Sequence, residues 1–333
     1  MNDLEFKALV VREDPQGGFH RAIEERTVDD LPEGEVLIRV EYSSLNYKDA
    51  LSATGNRGVT KNYPHTPGID AAGRVVDSSD KRFTVDDRVM VCCYDLGMNT
   101  AGGFGQYIRV PADWVMKMPD GLTARESMIY GTGGFTAAHS VWKMTRQGVG
   151  SADGPVLVTG ASGGVGSFSV GILALEGFKV TAVSGKESAR KFLVDLGASE
   201  VVSRDEVTDS SGKMVLKGRW AGVIDTVGGE ILSTAIRSTR YGGVVTCCGN
   251  VAGPEFSASV FPFILRGVSL LGIDSAECPM DLREQIWAKL GSDWKLPKLE
   301  DICTEISLDE LDGAIDRILK GGIQGRTVVR LQD

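Results

Sequence analysis

The sequence contains no apolar run of the ~18 residues that a transmembrane helix needs. Its start, MNDLEFKALVV, is acidic and has no apolar stretch, so no secretory signal is expected. No C-x-x-C spacing occurs among Cys92, Cys93, Cys247, Cys248, Cys278 and Cys303. The two adjacent pairs suit neither a disulfide ladder nor a zinc knuckle. Buried, reduced thiols in a cytoplasmic protein are expected instead. Histidine is scarce: His20, His65 and His139 are all there is. A surplus of positive charge is also missing. There are 36 Lys+Arg against 45 Asp+Glu, a net charge of −9. That excludes a nucleic-acid binder working by bulk electrostatics, but leaves room for a local basic patch that holds one anion.

Glycine is abundant, 42 of 333 residues, well above the usual ~7%. The glycines are spread along the chain and imply tight turns and close backbone approaches. Length and composition (42% hydrophobic, 24% charged) suit roughly two domains with cores that need no staple.

The first ~120 residues read as β-rich. Residues 35–42 (EVLIRVEY) alternate, and 6–11, 73–76, 88–93 and 107–110 are further strand candidates. Gly and Pro punctuate them, as expected of a small barrel or sandwich. After Pro119-Asp120-Gly121 the pattern changes. Residues 122–144 look helical behind a Thr123 cap with Glu126 three residues on. Strand and helix patterns then alternate: strands at 156–159, 179–183, 201–202, 222–225, 243–248 and 268–273, helices at 165–175, 187–196 and 231–238. That rhythm demands a parallel sheet with helices on both faces. Helices at 284–290 and 308–319 follow, with a closing strand at 326–331.

The apolar strand 156–159 leads into Gly160-Ala161-Ser162-Gly163-Gly164-Val165-Gly166 and then a helix. A strand, a glycine turn and a helix N-terminus form an anion site, because backbone N–H groups and the helix dipole both face the ligand. The spacing is G-x-x-G-x-x-G, and no Gly-Lys-Ser/Thr ends it, which excludes a P-loop. The next strand separates the nicotinamide cofactors. An NAD site carries an acidic residue there to bind the ribose 2′-hydroxyl. Here Val183-Ser184-Gly185-Lys186 offers a hydroxyl, a loop amide and a cation, with Arg204 able to reach the same end. NADPH is therefore expected. Arg190 reads as a solvated helix-face residue.

With Ser44-Leu45-Asn46-Tyr47-Lys48-Asp49, Pro67-Gly68-Ile69-Asp70, Asp225-Thr226-Val227-Gly228-Gly229 and Leu270-Leu271-Gly272-Ile273-Asp274-Ser275 added to the glycine turn, the chain resembles the zinc-independent medium-chain dehydrogenase/reductases. It is most similar to their quinone oxidoreductase-like branch and its acrylyl-CoA reductase group. The resemblance implies an α/β fold with a GroES-like β-barrel catalytic domain plus a Rossmann doubly wound parallel sheet. The expected division is 1–122 for the first part of the catalytic domain, 123–279 for the Rossmann NADP-binding domain and 280–333 completing the catalytic domain. Zinc-dependent members carry Gly-His-Glu after the Pro-Gly turn. Gly68-Ile69-Asp70 stands here, so no metal is expected, and His65 reads as a packing residue.

The resemblance places Asn46 and Tyr47 near the nicotinamide as catalytic candidates, Tyr47 either donating through its phenol or only positioning the cofactor. It assigns Ser162, Gly163, Gly164 and Val165 to the pyrophosphate, and Ser184, Gly185, Lys186 and Arg204 to the adenosine phosphate. Thr132 is expected near the carboxamide. Gly249, Phe263 and Ser275 are expected beside the nicotinamide, and Arg326 to reach in from the C-terminal segment. Lys48 and Asp49 read as an ion pair or a cap. Arg57 either meets an anionic substrate group or is a solvated loop residue. Three functions compete: NADPH-dependent reduction of acryloyl-CoA to propionyl-CoA, reduction of quinones or enones, and non-catalytic nucleotide binding. A small-molecule substrate and a homodimer are expected, with no nucleic-acid or membrane partner.

Overall fold

The computed structural model describes residues 4–332, which divide into two compact units. One comprises Met1–Thr132, Ala276–Ser292 and Lys298–Asp333, and the other Gly133–Ser275 with Asp293–Pro297.

The first unit begins with an antiparallel hairpin of β1 (Glu5–Glu13) and β2 (Phe19–Thr27). The polar, half-exposed β2 carries no alternation that the sequence would reveal. Next come β3 (Val36–Leu45), the short helix α1 (Tyr47–Ser52), β4 (Asp70–Ser78), β5 (Arg88–Cys92), β6 (Tyr107–Val110) and β7 (Met116–Lys117). Strand β3 is the centre of this unit because both of its faces find apolar partners. Val36, Ile38 and Val40 enter a cluster with Leu9, Val11, Val89, Ile108 and Val329, while Leu37 enters a second one with Phe6, Ala8, Val10 and Leu31. Each such buried side chain stabilises the fold by roughly 1.5–3 kcal/mol.

Helix α2 (Ala124–Arg146) is not continuous. Gly131 breaks it at φ 48°, ψ −156°. The division between units falls just beyond this kink, at 132/133, rather than at the Pro-Asp-Gly turn where the composition changes. The reason is local: Thr132 is hydrogen-bonded to Asp70 of β4, which ties the first turns of α2 to the first unit.

The second unit contains β8 (Val156–Val158), α3 (Gly164–Leu175), β9 (Val180–Val183), α4 (Arg190–Asp195), β10 (Glu200–Val202), β11 (Trp220–Asp225), α5 (Gly229–Ser238), β12 (Thr239–Cys247), α6 (Phe261–Arg266) and β13 (Ser269–Gly272). The sheet is parallel in the order β10-β9-β8-β11-β12-β13. Strand order reverses between β8 and β11, which opens a crevice at their carboxyl ends. Strand β13 lies at the sheet edge.

The C-terminal segment adds α7 (Met280–Leu290), β14 (Cys303–Ser307), α8 (Leu311–Leu319) and β15 (Arg326–Arg330). Strand β15 pairs antiparallel with β3 and parallel with β14, so the last strand completes the sheet of the first unit. Among the described residues no helix is long and apolar enough to cross a membrane. All six cysteines are free.

Candidate active site

In the second unit, the apolar strand β8 ends beside the crevice and the glycine turn follows. A Cβ on Gly166 would stand 2.3 Å from the carbonyl oxygen of Gly160, so only glycine lets α3 start this close to the turn. Gly163 is the N-cap of α3 and offers no side-chain cap, and Ser162 precedes it. The first N–H groups of Gly164, Val165 and their neighbours therefore lack a side-chain acceptor, as a phosphate cradle requires. The opposite wall is braced. Thr159 Oγ1 donates to Asp225 Oδ1 at 2.8 Å, and Asp225 Oδ2 accepts from Gly228 N at 2.8 Å. Burial pushes the Asp225 carboxyl above its ordinary range, against these hydrogen bonds. A Cβ on Gly249 would lie 2.0 Å from Thr226 O, so the loop after β12 presses on the loop after β11.

At the end of β9, Ser184 Oγ accepts from Lys186 N at 3.1 Å and lies 3.4 Å from Ser162 Oγ. The absent side chain of Gly185 makes room for Arg204, whose Nε would lie 3.4 Å from a Cβ there. Ser184, Gly185 and Arg204 are thus gathered at one point, with Lys186 next in the chain. Arg204 forms no ion pair among the described residues. Arg190 is exposed and already paired with Glu187 at 3.2 Å. A cation without a carboxylate, next to a hydroxyl and a loop amide, fits a 2′-phosphate. Phe263 packs against the apolar core of this unit, and Ser275 is the unit's last residue before the chain crosses over.

In the first unit a buried polar network surrounds Asp70. Its Oδ2 accepts from Ser44 Oγ at 2.6 Å and Asn46 Nδ2 at 2.7 Å, and its Oδ1 accepts from Thr132 Oγ1 at 2.6 Å. The Thr132 amide reaches both oxygens, at 3.1 and 3.0 Å. Arg326 lies 3.7 Å away through Nη2 and donates to Ser44 Oγ, Asn46 Oδ1 and the Ile129 carbonyl. Burial pulls the Arg326 guanidinium down and Asp70 holds it up. Gly131 is required here. A Cβ would stand 2.5 Å from Ser44 Oγ, 2.6 Å from Asp70 Oδ2 and 2.8 Å from Arg326 Nη2.

This network corrects two expectations. Arg326 is 4% exposed and its guanidinium is used inside the first unit, so it does not reach out to a cofactor. Asn46 is buried with its amide hydrogens donated to Asp70 and to Ser44 O and its oxygen taken by Arg326, so it has no donor left for a substrate. Arg57 is a third correction. It is paired with Glu13 at 2.6 Å, donates to Lys61 O and lies over the Tyr63 ring, so its charge is already matched.

Tyr47 opens α1 and is 42% exposed, and its hydroxyl has no hydrogen-bond partner among the described residues. Asp49, two residues on, does cap the helix. Its Oδ2 accepts from Asn46 N at 2.7 Å and its Oδ1 from Ile69 N at 2.8 Å. Burial and the neighbouring Asp70 raise the Asp49 carboxyl to about 7. Lys48 Nζ rests 3.9 Å from Met98 Sδ. Cys93 Sγ meets Thr132 Oγ1 at 3.0 Å, and burial pushes its thiol up to about 11, so it stays protonated. The sequence reading passed over Ser44 and Asp70. A carboxylate inside the apolar run IDAAGRVV was the available signal, because a buried charge requires partners.

Residues 32–120 match the family description "Alcohol dehydrogenase GroES-like domain" and residues 164–290 match "Zinc-binding dehydrogenase". The residues do not fit the zinc of that description: Ile69 follows the Pro-Gly turn, and no group of three His, Cys, Asp or Glu among the described residues could hold a metal ion. The chain is 46% identical over 92% of its length to the putative quinone oxidoreductase YhfP of Bacillus subtilis, covering 93% of that protein. The structure of B. subtilis yhfP with NAD bound superposes with a TM-score of 0.96, covering 99% of this chain and 100% of that one at 44% identity. Acrylyl-CoA reductase AcuI of Ruegeria pomeroyi is 42% identical over 97% of this chain and 98% of its own. The structure of Escherichia coli K-12 YhdH with bound NADPH gives a TM-score of 0.94 at 42% identity, covering 98% and 100%. The chain belongs to the medium-chain dehydrogenase/reductases. Within them it belongs to the quinone oxidoreductase-like branch that contains the YhdH and AcuI proteins.

Proposed function

We propose that this protein reduces the C2–C3 double bond of acryloyl-CoA to give propionyl-CoA. The coarser statement is that it is an NADPH-dependent oxidoreductase of its family. The single observation that carries the cofactor choice is the end of β9, where Ser184 and Arg204 converge and the Ser184-Gly185-Lys186 segment carries no carboxylate. Ser162, Gly163, Gly164 and Val165 would hold the pyrophosphate, Ser184, Gly185, Lys186 and Arg204 the 2′-phosphate, and Thr132 the carboxamide. NADPH, when bound, supplies a hydride.

What the chain adds is charge control. Conjugate reduction spreads negative charge into an enolate, which one or two hydrogen bonds can stabilise. Reduction at the carbonyl itself develops a more localised charge that calls for a stronger electrophile. The Tyr47 phenol has no partner among the described residues, and it would stabilise the enolate oxygen or deliver the proton to C2. Asn46 cannot share this task, for the reason given above.

Quinone or enone reduction is the second reading, favoured by the similarity to YhfP. Steady-state turnover of acryloyl-CoA, crotonyl-CoA and 1,4-benzoquinone with NADPH separates the two. Acryloyl-CoA is expected to give the highest kcat/KM, and a preference for benzoquinone would overturn the proposal. Deuterium from 4-labelled NADPH should appear at C3 of the propionyl group, and label at C1 would contradict conjugate reduction. Tight NADPH binding without any turnover would select a non-catalytic role.

We further propose a cytoplasmic homodimer. The free cysteines support the reducing compartment. Strand β13 is a sheet edge, and α6 and its cap, which precede it in the chain, expose the apolar side chains Val260, Ile264 and Leu265. A second copy related by a two-fold axis would cover both.

A further inference from the structure

We propose that Asp225 is a positioning residue for the pyrophosphate of the cofactor: its carboxylate, at the end of β11, holds the glycine turn through Thr159 and the loop before α5 through Gly228. The inference rests on the reading that the pyrophosphate lies on the turn at 160–166.

All six residues of β11 are buried, and Asp225, the last of them, has no exposed surface. A buried carboxylate must be matched by a cation or by hydrogen-bond donors. Asp225 forms no ion pair among the described residues, so donors match it. Thr159 Oγ1 reaches one oxygen and the Gly228 amide the other. One carboxylate thus bridges the residue before the glycine turn and the N-cap of α5.

Thr159 is committed on every side. Its amide donates to Ile224 O at 3.0 Å, its hydroxyl oxygen accepts from Thr226 N at 2.9 Å, and its carbonyl accepts from Thr226 Oγ1 at 2.8 Å. With the bond to Asp225, four hydrogen bonds lace the end of β8 to the end of β11. Gly160, next in the chain, rests on this lacing at φ 58°. A Cβ there would stand 2.4 Å from Thr226 Oγ1 and 2.9 Å from Val227 Cγ1. The first glycine of the turn therefore answers to the loop after β11. On its other side the turn is held by Ala161 N, which donates to Val183 O at 3.0 Å. Gly163 N donates to Gly160 O at 3.0 Å, which carries the position of Gly160 on to the N-cap of α3.

The second arm of Asp225 keeps Thr226 in place beneath Gly160. Gly228 stands at φ 72°, and a Cβ there would lie 2.5 Å from Gly253 O. Ala252 N donates to Val227 O at 2.7 Å, so residues 226–228 are held between Asp225 and the loop after β12. Asp225 thus acts on the cradle without touching a ligand. A valine at position 159 would keep the shape but leave Asp225 Oδ1 and Thr226 N without their partner, whereas a serine would keep the hydroxyl.

Calorimetric titration of the purified protein with NADPH, NADH and adenosine 2′-monophosphate tests this. The third ligand carries the 2′-phosphate without a pyrophosphate, so it reads the adenosine end alone. Thr159→Val and Asp225→Asn should each weaken NADPH and NADH by a common factor of about ten or more, the effect of leaving a buried group unpaired, and leave adenosine 2′-monophosphate unchanged. Thr159→Ser should bind all three as the wild type does. A merely structural role would weaken adenosine 2′-monophosphate in step with the dinucleotides or leave all three alone, and either result would overturn the proposal. So would equal NADPH affinity of Thr159→Val and Thr159→Ser. If Asp225→Asn lacks the near-UV circular dichroism of the wild type, the two Thr159 variants decide. Ser162→Asp, which sets a negative charge in the cradle, keeps two failures apart. If it abolishes dinucleotide binding while Thr159→Val does nothing, the cradle reading stands and this inference falls. If it leaves dinucleotide binding intact, the cradle reading falls, and this inference with it.

Discussion

Arg326 donates through Nη1 to Asn46 Oδ1 at 3.0 Å, across 280 positions of sequence. The bond joins the start of the last strand to the residue before the Tyr47 helix. It sets the end of the chain as a support for its beginning, and it explains why neither side chain is available to a ligand.

Cofactor preference should follow the charges at the end of β9. Lys186→Ala and Arg204→Ala should each weaken NADPH by about 1.5–3 kcal/mol, the size of a charged hydrogen bond, and leave NADH nearly unchanged. Titration of both variants with both cofactors checks this. Equal loss of NADPH and NADH in either variant would remove that residue from the phosphate site.

The exposed, unpartnered phenol of Tyr47 makes a clean target. Tyr47→Phe should lower kcat at least tenfold with little change in melting temperature, since losing one donor to a developing oxyanion costs ~10²–10³ in rate when the bond is fully made. An unchanged kcat would confine Tyr47 to positioning.

Stability should fall with rising pH because of Asp49. An acid held at about 7 in the folded protein, against about 3.9 when unfolded, binds its proton more tightly in the native state. Its contribution is complete below the unfolded value and is lost as pH rises through about 7, on the order of a few kcal/mol in all. Urea titrations of the wild type and Asp49→Asn at pH 5 and pH 8 isolate this. The wild-type advantage over the variant should shrink at pH 8, and an advantage that is the same at both pH values would show that Asp49 does not titrate there. Taking the difference cancels His65, whose ring burial pulls down and whose effect runs the other way.

Gly131→Ala should destabilise the protein by more than the ~1–3 kcal/mol of a strained backbone position alone. Its Cβ would enter the Asp70–Arg326 network as well as forcing a non-glycine residue to φ 48°. Chemical denaturation gives the value. A loss below about 0.5 kcal/mol would mean that the kink relaxes without cost.

The proposed dimer predicts that Ile264→Asp, at a side chain 68% exposed on α6, shifts the protein to monomer in light scattering while the melting curve of the monomer stays cooperative. A wild type that is already monomeric at micromolar concentration would end the proposal.

The parts legible in the sequence were those written in neighbouring residues. The glycine turn at 160–166, the βα alternation around it and the alternation of β3 are patterns of near neighbours, and each stands where it was expected. The Asp70 network is the opposite case. Its members come from positions 44, 46, 70, 132 and 326, and no short window contains two of its sides. Arg326 suited a phosphate by chemistry alone, and only the sheet pairing of β15 with β3 reveals that it is consumed internally. Arg57 suited an anionic substrate in the same way until Glu13, on the far side of the hairpin, was placed beside it. Strand β2 escaped because its residues are half-exposed on both faces, so no period-2 signal exists to be read.

The insertion of β15 between β3 and β14 has a consequence for synthesis on the ribosome. Strand β13, the last of the second unit's sheet, emerges before β14 and β15, so that sheet can form while translation continues. The first unit, though begun earlier, must wait. Until residue 326 leaves the exit tunnel, β3 lacks one of its neighbours and Asp70 has no cation. An uncompensated buried charge costs roughly 3–5 kcal/mol. A chain that stops before residue 326 would therefore leave β3 without its β15 neighbour and Asp70 without Arg326.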